Sequence, residues 1–319
     1  MSRHSIAAAL LAAAVLTLAG AGAAQAQLSP TSSFLATLDN AYRVIPNVTY
    51  HEASGVENKL DLYVRRNPDG PAPVLLMIHG GGWVGGQKET YTMRLLPYLE
   101  MGFAVVNVGY RLADVALAPA AVEDCLCALR WIARNAEQYG LDASRVVVTG
   151  MSAGGHLSLT TGMIPSAAGL DRQCAARAFS GPRPADPATV VAIVNWYGIT
   201  DVVDMLDGPN VKGYAVEWLG SLPNRVEVAS RVSPVNYVRE GLPPILTIHG
   251  DDDPIVPYEH AVRLKDRLDA VGAANELHTV PGGGHGGFDD EETLAIYEKI
   301  FDFLARHGLP ARSATNQQN

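Results

Sequence analysis

The chain has 319 residues, 48% of them hydrophobic, enough for one large α/β core or two small ones. A formal net charge of −9 and the absence of any basic cluster argue against a nucleic-acid surface. The three cysteines, Cys125, Cys127 and Cys174, have no metal-site spacing. Cys125 and Cys127 sit two apart in a predicted helix and point to different faces. Either could pair with Cys174, or all could be small buried hydrophobes.

The first 26 residues have the pattern of an export signal. Arg3 and His4 precede an Ala/Leu run from Ile6 to Leu18, and Ala24-Gln25-Ala26 is a small-x-small cleavage site. The apolar run is shorter than the roughly 20 residues a membrane span needs. The expectation is a periplasmic or secreted protein with no membrane association after cleavage, a folded domain over 27–308, and a disordered tail over 309–319.

Strands and helices then alternate. Leu60 to Val64 reads as a half-exposed strand. Val74 to His79, Phe103 to Val108, Arg145 to Thr149, Val190 to Trp196 and Ile245 to His249 are short, apolar and rich in β-branched residues, as buried parallel strands are. Helical spacing marks Pro119 to Tyr139, Ala153 to Met163, Tyr258 to Val271 and Glu291 to Ala305. This alternation predicts a parallel sheet with helices on both faces. The stretch 165–187, with Arg172, Arg177 and Arg183, reads as a surface loop.

Two glycine-rich turns follow predicted strands. His79-Gly80-Gly81-Gly82-Trp83 can bend until main-chain N–H groups face one point, as an oxyanion hole requires, with Gly81 and Gly82 as donors and the Trp83 N–H as the alternative. Trp83 either lines an acyl pocket or packs under the loop. Gly150-Met151-Ser152-Ala153-Gly154 joins a strand to a helix through Gly-x-Ser-x-Gly, a nucleophile elbow that exposes Ser152. The Ala153 N–H is the third oxyanion donor.

An acid and a base should follow the serine in that order. The acid is sought in Asp251-Asp252-Asp253-Pro254, where Pro254 stiffens the loop beside Asp253; Asp201 is the alternative. The base is His285, in the glycine-rich run 281–288 after a strand over Glu276 to Val280. A histidine in such a loop is poorly explained by packing. Asp289 to Glu292 opens a helix, where acids suit the dipole, so neither acidic cluster is read as a metal site. No cofactor is called for.

Four motifs, at 79–83, 150–156, 249–257 and 282–288, make the chain resemble the α/β-hydrolase fold over roughly 45–306. Within that fold it is similar to the acetyl esterase/lipase group, especially its feruloyl/acetylxylan-esterase-like branch. The resemblance implies a mostly parallel eight-stranded sheet, a Ser152–Asp253–His285 triad, and hydrolysis of short acyl esters, with a small-molecule or carbohydrate ester as substrate. The Asp-Pro-Leu-x-Asp acid motif and long N-terminal cap of the hormone-sensitive-lipase branch are missing. Three other readings are an arylformamidase-like amide hydrolase, a secreted peptidase, and a non-catalytic binding module on the same fold. The loops 165–187 and 204–224 shape the acyl and alcohol sites. The loop 165–187 carries arginines rather than a stripe of large hydrophobes, and the N-terminal region supplies no obvious apolar lid, which predicts a preference for acetyl and propionyl over long-chain esters. The competing view is that Trp83, Trp196, Tyr197 and Trp218 converge into a deep pocket.

Overall fold

A computed structural model describes residues 29–174, 188–221 and 223–310. The proposed signal, 1–26, lies outside the described residues, as do Arg177 and Arg183 of the 165–187 loop and residues 311–319 of the tail. One unit spans Met1–Asn40; its described residues, 29–40, carry helix α1 (Pro30–Ala41) up to its last residue. Residues Ala41–Asn319 form the other.

The second unit is built on one eight-stranded sheet in the order β1-β2-β4-β3-β5-β6-β7-β8. The strands are β1 (Tyr42–Ala53), β2 (Val56–Arg65), β3 (Ala72–Ile78), β4 (Ala104–Val108), β5 (Leu141–Met151), β6 (Val190–Trp196), β7 (Ile245–Gly250) and β8 (Asn275–Val280). β1 pairs with β2, and β2 with β4, antiparallel. Every other neighbouring pair is parallel. The helices of this unit are α2 (Leu96–Glu100), α3 (Ala120–Tyr139), α4 (Ala153–Met163), α5 (Gly213–Leu219), α6 (Arg225–Arg231), α7 (Glu259–Ala270) and α8 (Asp290–Arg306). This is the α/β-hydrolase fold.

The apolar runs behave as their composition requires. All seven residues of β3 and all five of β4 are buried, because helices cover both faces of the parallel sheet. α3 turns Val122, Leu126, Leu129 and Ile132 inward and ends on Gly140 in the left-handed conformation.

β2 departs from the half-exposed expectation. Leu60, Leu62 and Val64 enter the core, but the polar face is covered as well. Asp61 is buried and takes the Lys88 ammonium at 2.9 Å, and the carbonyl of Lys88 accepts from the Asn107 amide. A buried lysine replaces water over that face. At the other end, Leu309 is buried and its N–H bonds Leu304 O at 3.0 Å, so chain order extends past 308. Cys127 and Cys174 form a disulfide, and Cys125 is buried and free.

Candidate active site

β5 ends at Met151 and α4 begins at Ala153, which leaves Ser152 on the turn between them. Its φ of 57° and ψ of −122° lie outside the ordinary helix and strand regions. The Ser152 N–H is tied to Trp196 O of β6 at 2.9 Å, which holds the strained turn against the sheet. The flanking glycines are set by β3. A Cβ on Gly150 would lie 2.4 Å from Ile78 O, and one on Gly154 only 2.2 Å from the same oxygen. The first internal bond of α4 runs from the His156 N–H to Ser152 O. The Ala153 N–H therefore has no acceptor inside its own helix.

The loop after β3 passes beside this turn. A Cβ on Gly80 would stand 3.4 Å from Ser152 Cβ and 2.6 Å from Met151 O. Gly81, Gly82 and Trp83 follow with φ of 117°, 61° and 62°, three successive left-handed residues. The turn closes on Gly81 O, which accepts from the N–H groups of Val84 and Gly85.

Trp83 is fully buried. Its indole stacks on Trp218 with ring centres 4.2 Å apart, and its Nε1–H donates to His156 Nδ1 at 3.2 Å. The protonated nitrogen of that imidazole must then be Nε2, which reaches Val232 O at 2.7 Å. Of the two readings of Trp83, the geometry supports packing under the loop rather than a substrate-binding wall. Trp196 and Tyr197 stand elsewhere, along a different cleft, so the four aromatics do not form a single pocket.

The candidate acid Asp253 lies in the loop just after β7. Asp253 Oδ1 accepts from the N–H groups of Ile255 and Val256 at 2.8 and 3.0 Å. Its Oδ2 lies 2.7 Å from His285 Nδ1 and 3.2 Å from His249 Nε2. Burial works against the charge on Asp253. The hydrogen bonds from His249, His285 and the Val256 N–H outweigh it and hold the carboxyl well below the usual carboxylate range. Asp251 instead takes the Gly282 N–H at 2.5 Å, Asp252 is exposed, and Asp201 pairs with Arg263 at 2.9 Å. Of these four acids, Asp253 is the one in contact with His285 among the described residues. Asp289 caps α8 by accepting the Glu292 N–H at 2.8 Å.

His285 rides on a loop whose Gly282, Gly286 and Gly287 have φ of 65°, 78° and 67°. Its side chain keeps 20% of its surface exposed. Tyr197, itself at φ 38°, sets its ring 4.7 Å from the imidazole and tilted by 59°. Sequence reasoning gave Tyr197 and His249 no place around the acid and base. Nothing in their local patterns marks them, because both contacts are made between elements distant along the chain. His278, without a partner by sequence, lies 2.9 Å from Glu292.

The BD-FAE family model matches residues 60–268. Among curated proteins, the esterase LipC of Mycobacterium tuberculosis is 32% identical over 72% of this chain and 57% of its own length. The isoprenylcysteine alpha-carbonyl methylesterase ICME of Arabidopsis thaliana is 27% identical over 72% of this chain and 53% of its own. The chain thus spans little more than half the length of these relatives. A truncated carbohydrate esterase from gut microbiota superposes with a TM-score of 0.70 at 28% identity, over 84% of this chain and 97% of that one. Butyrate-bound Est2 of Thermogutta terrifontis shares the fold at a TM-score of 0.70 and 24% identity, over 87% and 98% of the two chains.

Proposed function

The chain belongs to the BD-FAE family of α/β-hydrolases, and on that premise we propose that it is a serine carboxylesterase acting on short-chain acyl esters. The observation that carries the reading is the Asp253 Oδ2 to His285 Nδ1 contact of 2.7 Å, beside a serine at φ 57° on a strand-to-helix turn. An aspartate on Nδ1 fixes the imidazole tautomer and leaves Nε2 to take a proton.

In the mechanism, His285 Nε2 takes the Ser152 proton as Oγ attacks the ester carbonyl. The N–H groups of Gly81, Gly82 and Ala153 receive the oxyanion. His285 then gives its proton to the leaving alcohol oxygen. In the second half it takes a proton from water as the water oxygen attacks the acyl carbon, and returns it to Ser152 Oγ as the acyl–Oγ bond breaks and the acid leaves. Asp253 stays ionised throughout and stabilises the imidazolium.

The favoured substrates are acetyl or feruloyl esters of carbohydrate, a reading supported by the gut carbohydrate esterase at 28% identity. Export of the mature chain after Ala26 is part of the same proposal. The Cys127–Cys174 bridge supports it, since such bonds persist in oxidising compartments.

Replacing Ser152 by Ala tests the reading. Hydrolysis of p-nitrophenyl acetate should fall by about 10⁴-fold or more while the circular dichroism spectrum is retained. A variant with half the wild-type rate would reject Ser152 as nucleophile. Running acetyl to decanoyl esters beside acetylated xylan, methyl ferulate and N-formylkynurenine separates the esterase from the formamidase alternative. Rates rising steadily with chain length would overturn the short-chain preference.

A further inference from the structure

We propose that the cleft beside His285 seats the leaving alcohol, and that Arg94 selects alcohols carrying a carboxylate. The inference rests on the esterase reading above.

The cleft encloses about 260 Å³ and lies between residues 93–97, the end of β6, the loop after His285, and α8. Trp196, Tyr197, Phe288 and Tyr297 give it aromatic walls, with Met93 at its edge. Such walls receive a flat ring or the apolar face of a sugar. Arg94 is the one charged side chain among its lining residues.

Carboxylates neutralise some of the chain's other arginines. Arg111 is paired with Asp124, Arg130 with Asp171 and Arg263 with Asp201. Among the described residues Arg94 pairs with no carboxylate, and a neighbour that feels its charge is the Tyr297 phenol. A guanidinium has five N–H donors in a planar fork that fits a carboxylate in two parallel bonds. A neighbouring phenol cannot satisfy that fork.

Position assigns the cleft to one half of the ester. Gly286, Gly287 and Phe288 line it and follow His285 directly in the chain. Tyr197 lines it too, with its ring 4.7 Å from that of His285. The imidazole must hand its proton to the leaving oxygen, so the alcohol departs on the imidazole's side. The ring that enters the cleft then belongs to the alcohol, and its anionic substituent meets Arg94.

The test compares para-acetoxybenzoate with para-acetoxybenzamide, which share an acyl group and differ in leaving-group charge. The readout is the ratio of kcat/KM for the two esters within each enzyme, so a general loss of activity cancels. In Arg94→Gln the ratio should fall roughly tenfold or more relative to wild type, mainly through KM. Arg94→Lys should recover part of it. An unchanged ratio in Arg94→Gln overturns the proposal. Should the variants fail to fold, inhibition of the wild type decides: para-hydroxybenzoate should compete more tightly than para-hydroxybenzamide, and equal inhibition overturns the proposal. A wild type inert toward every ester would instead reject the esterase reading on which the proposal stands.

Discussion

Asp253 does more than face His285. One carboxylate oxygen is fixed by two main-chain N–H groups, and the other is shared between two imidazoles, His285 at 2.7 Å and His249 at 3.2 Å. The His249 Nε2 also faces Val256 O at 3.0 Å, so its proton is divided between that carbonyl and the acid. His249 is fully buried, and its contact with Asp253 predicts that it positions the proposed acid. Asp253→Asn should therefore cost about 10³- to 10⁴-fold in kcat, because an amide can donate to Nδ1 and favours the wrong tautomer. Asp251→Asn and Asp252→Asn should stay close to wild type; a damaging Asp252→Asn would move the acid by one residue. His249→Phe removes one donor to Asp253 but leaves its contact with His285, so it should lose less in kcat than Asp253→Asn. A loss as large as that of Asp253→Asn would show that the acid cannot hold its place without His249. The elbow serine and the loop histidine were legible in sequence because glycines flank both. The choice of Asp253 over its neighbours rested only on Pro254, and the partners of the acid are brought in by tertiary contact.

At the scale of elements, the sheet positions the chemistry by bringing the ends of β3, β5 and β7 to one edge. Trp83 links two of these. It leaves the glycine loop after β3 at φ 62°, stacks on Trp218 of α5, and donates to His156 on α4. Trp83→Phe keeps an aromatic ring but removes the N–H, leaving His156 Nδ1 buried without its donor at a cost of about 1–3 kcal/mol. If Trp83 is packing, kcat should fall by a similar factor for acetyl, butyryl and hexanoyl esters alike. A shift in chain-length preference would show instead that the ring touches the acyl group. Periodicity found most of the strands because buried parallel strands are near-continuous apolar runs. β1 escaped it: Pro46 and Asn47 interrupt its alternation, the register shifts between Ile45 and Val48, and as an edge strand it leaves most of its residues partly exposed. The short helices α5 and α6 were equally invisible, since seven residues make only two turns and their burial comes from neighbours.

The whole molecule carries a pH dependence separate from that of the site. His79, His156 and His260 are buried, and burial pushes each imidazole down from 6.5 to about 4. Opposing contacts are too weak to reverse it: Gly80 O on His79, Val232 O on His156, and the Asp204 carboxylate beside His260. The unfolded chain takes up these protons near pH 6.5, whereas the folded chain does so only near pH 4. The stability that neutral burial contributes is thus fully present above 6.5 and is lost as the pH falls from there to about 4. Within that window each imidazole should contribute a slope of about 1 kcal/mol per pH unit. Urea unfolding followed from pH 7.5 to 4.5 should therefore show a midpoint that is flat above neutrality and declines steeply below it. His156→Gln can still accept from the Trp83 N–H and donate to Val232 O, but it cannot take up a proton. That variant should lose part of the slope whatever its stability at pH 7.5. A slope identical to wild type would mean that His156 is protonated alike in the folded and unfolded chains, against the burial that surrounds it.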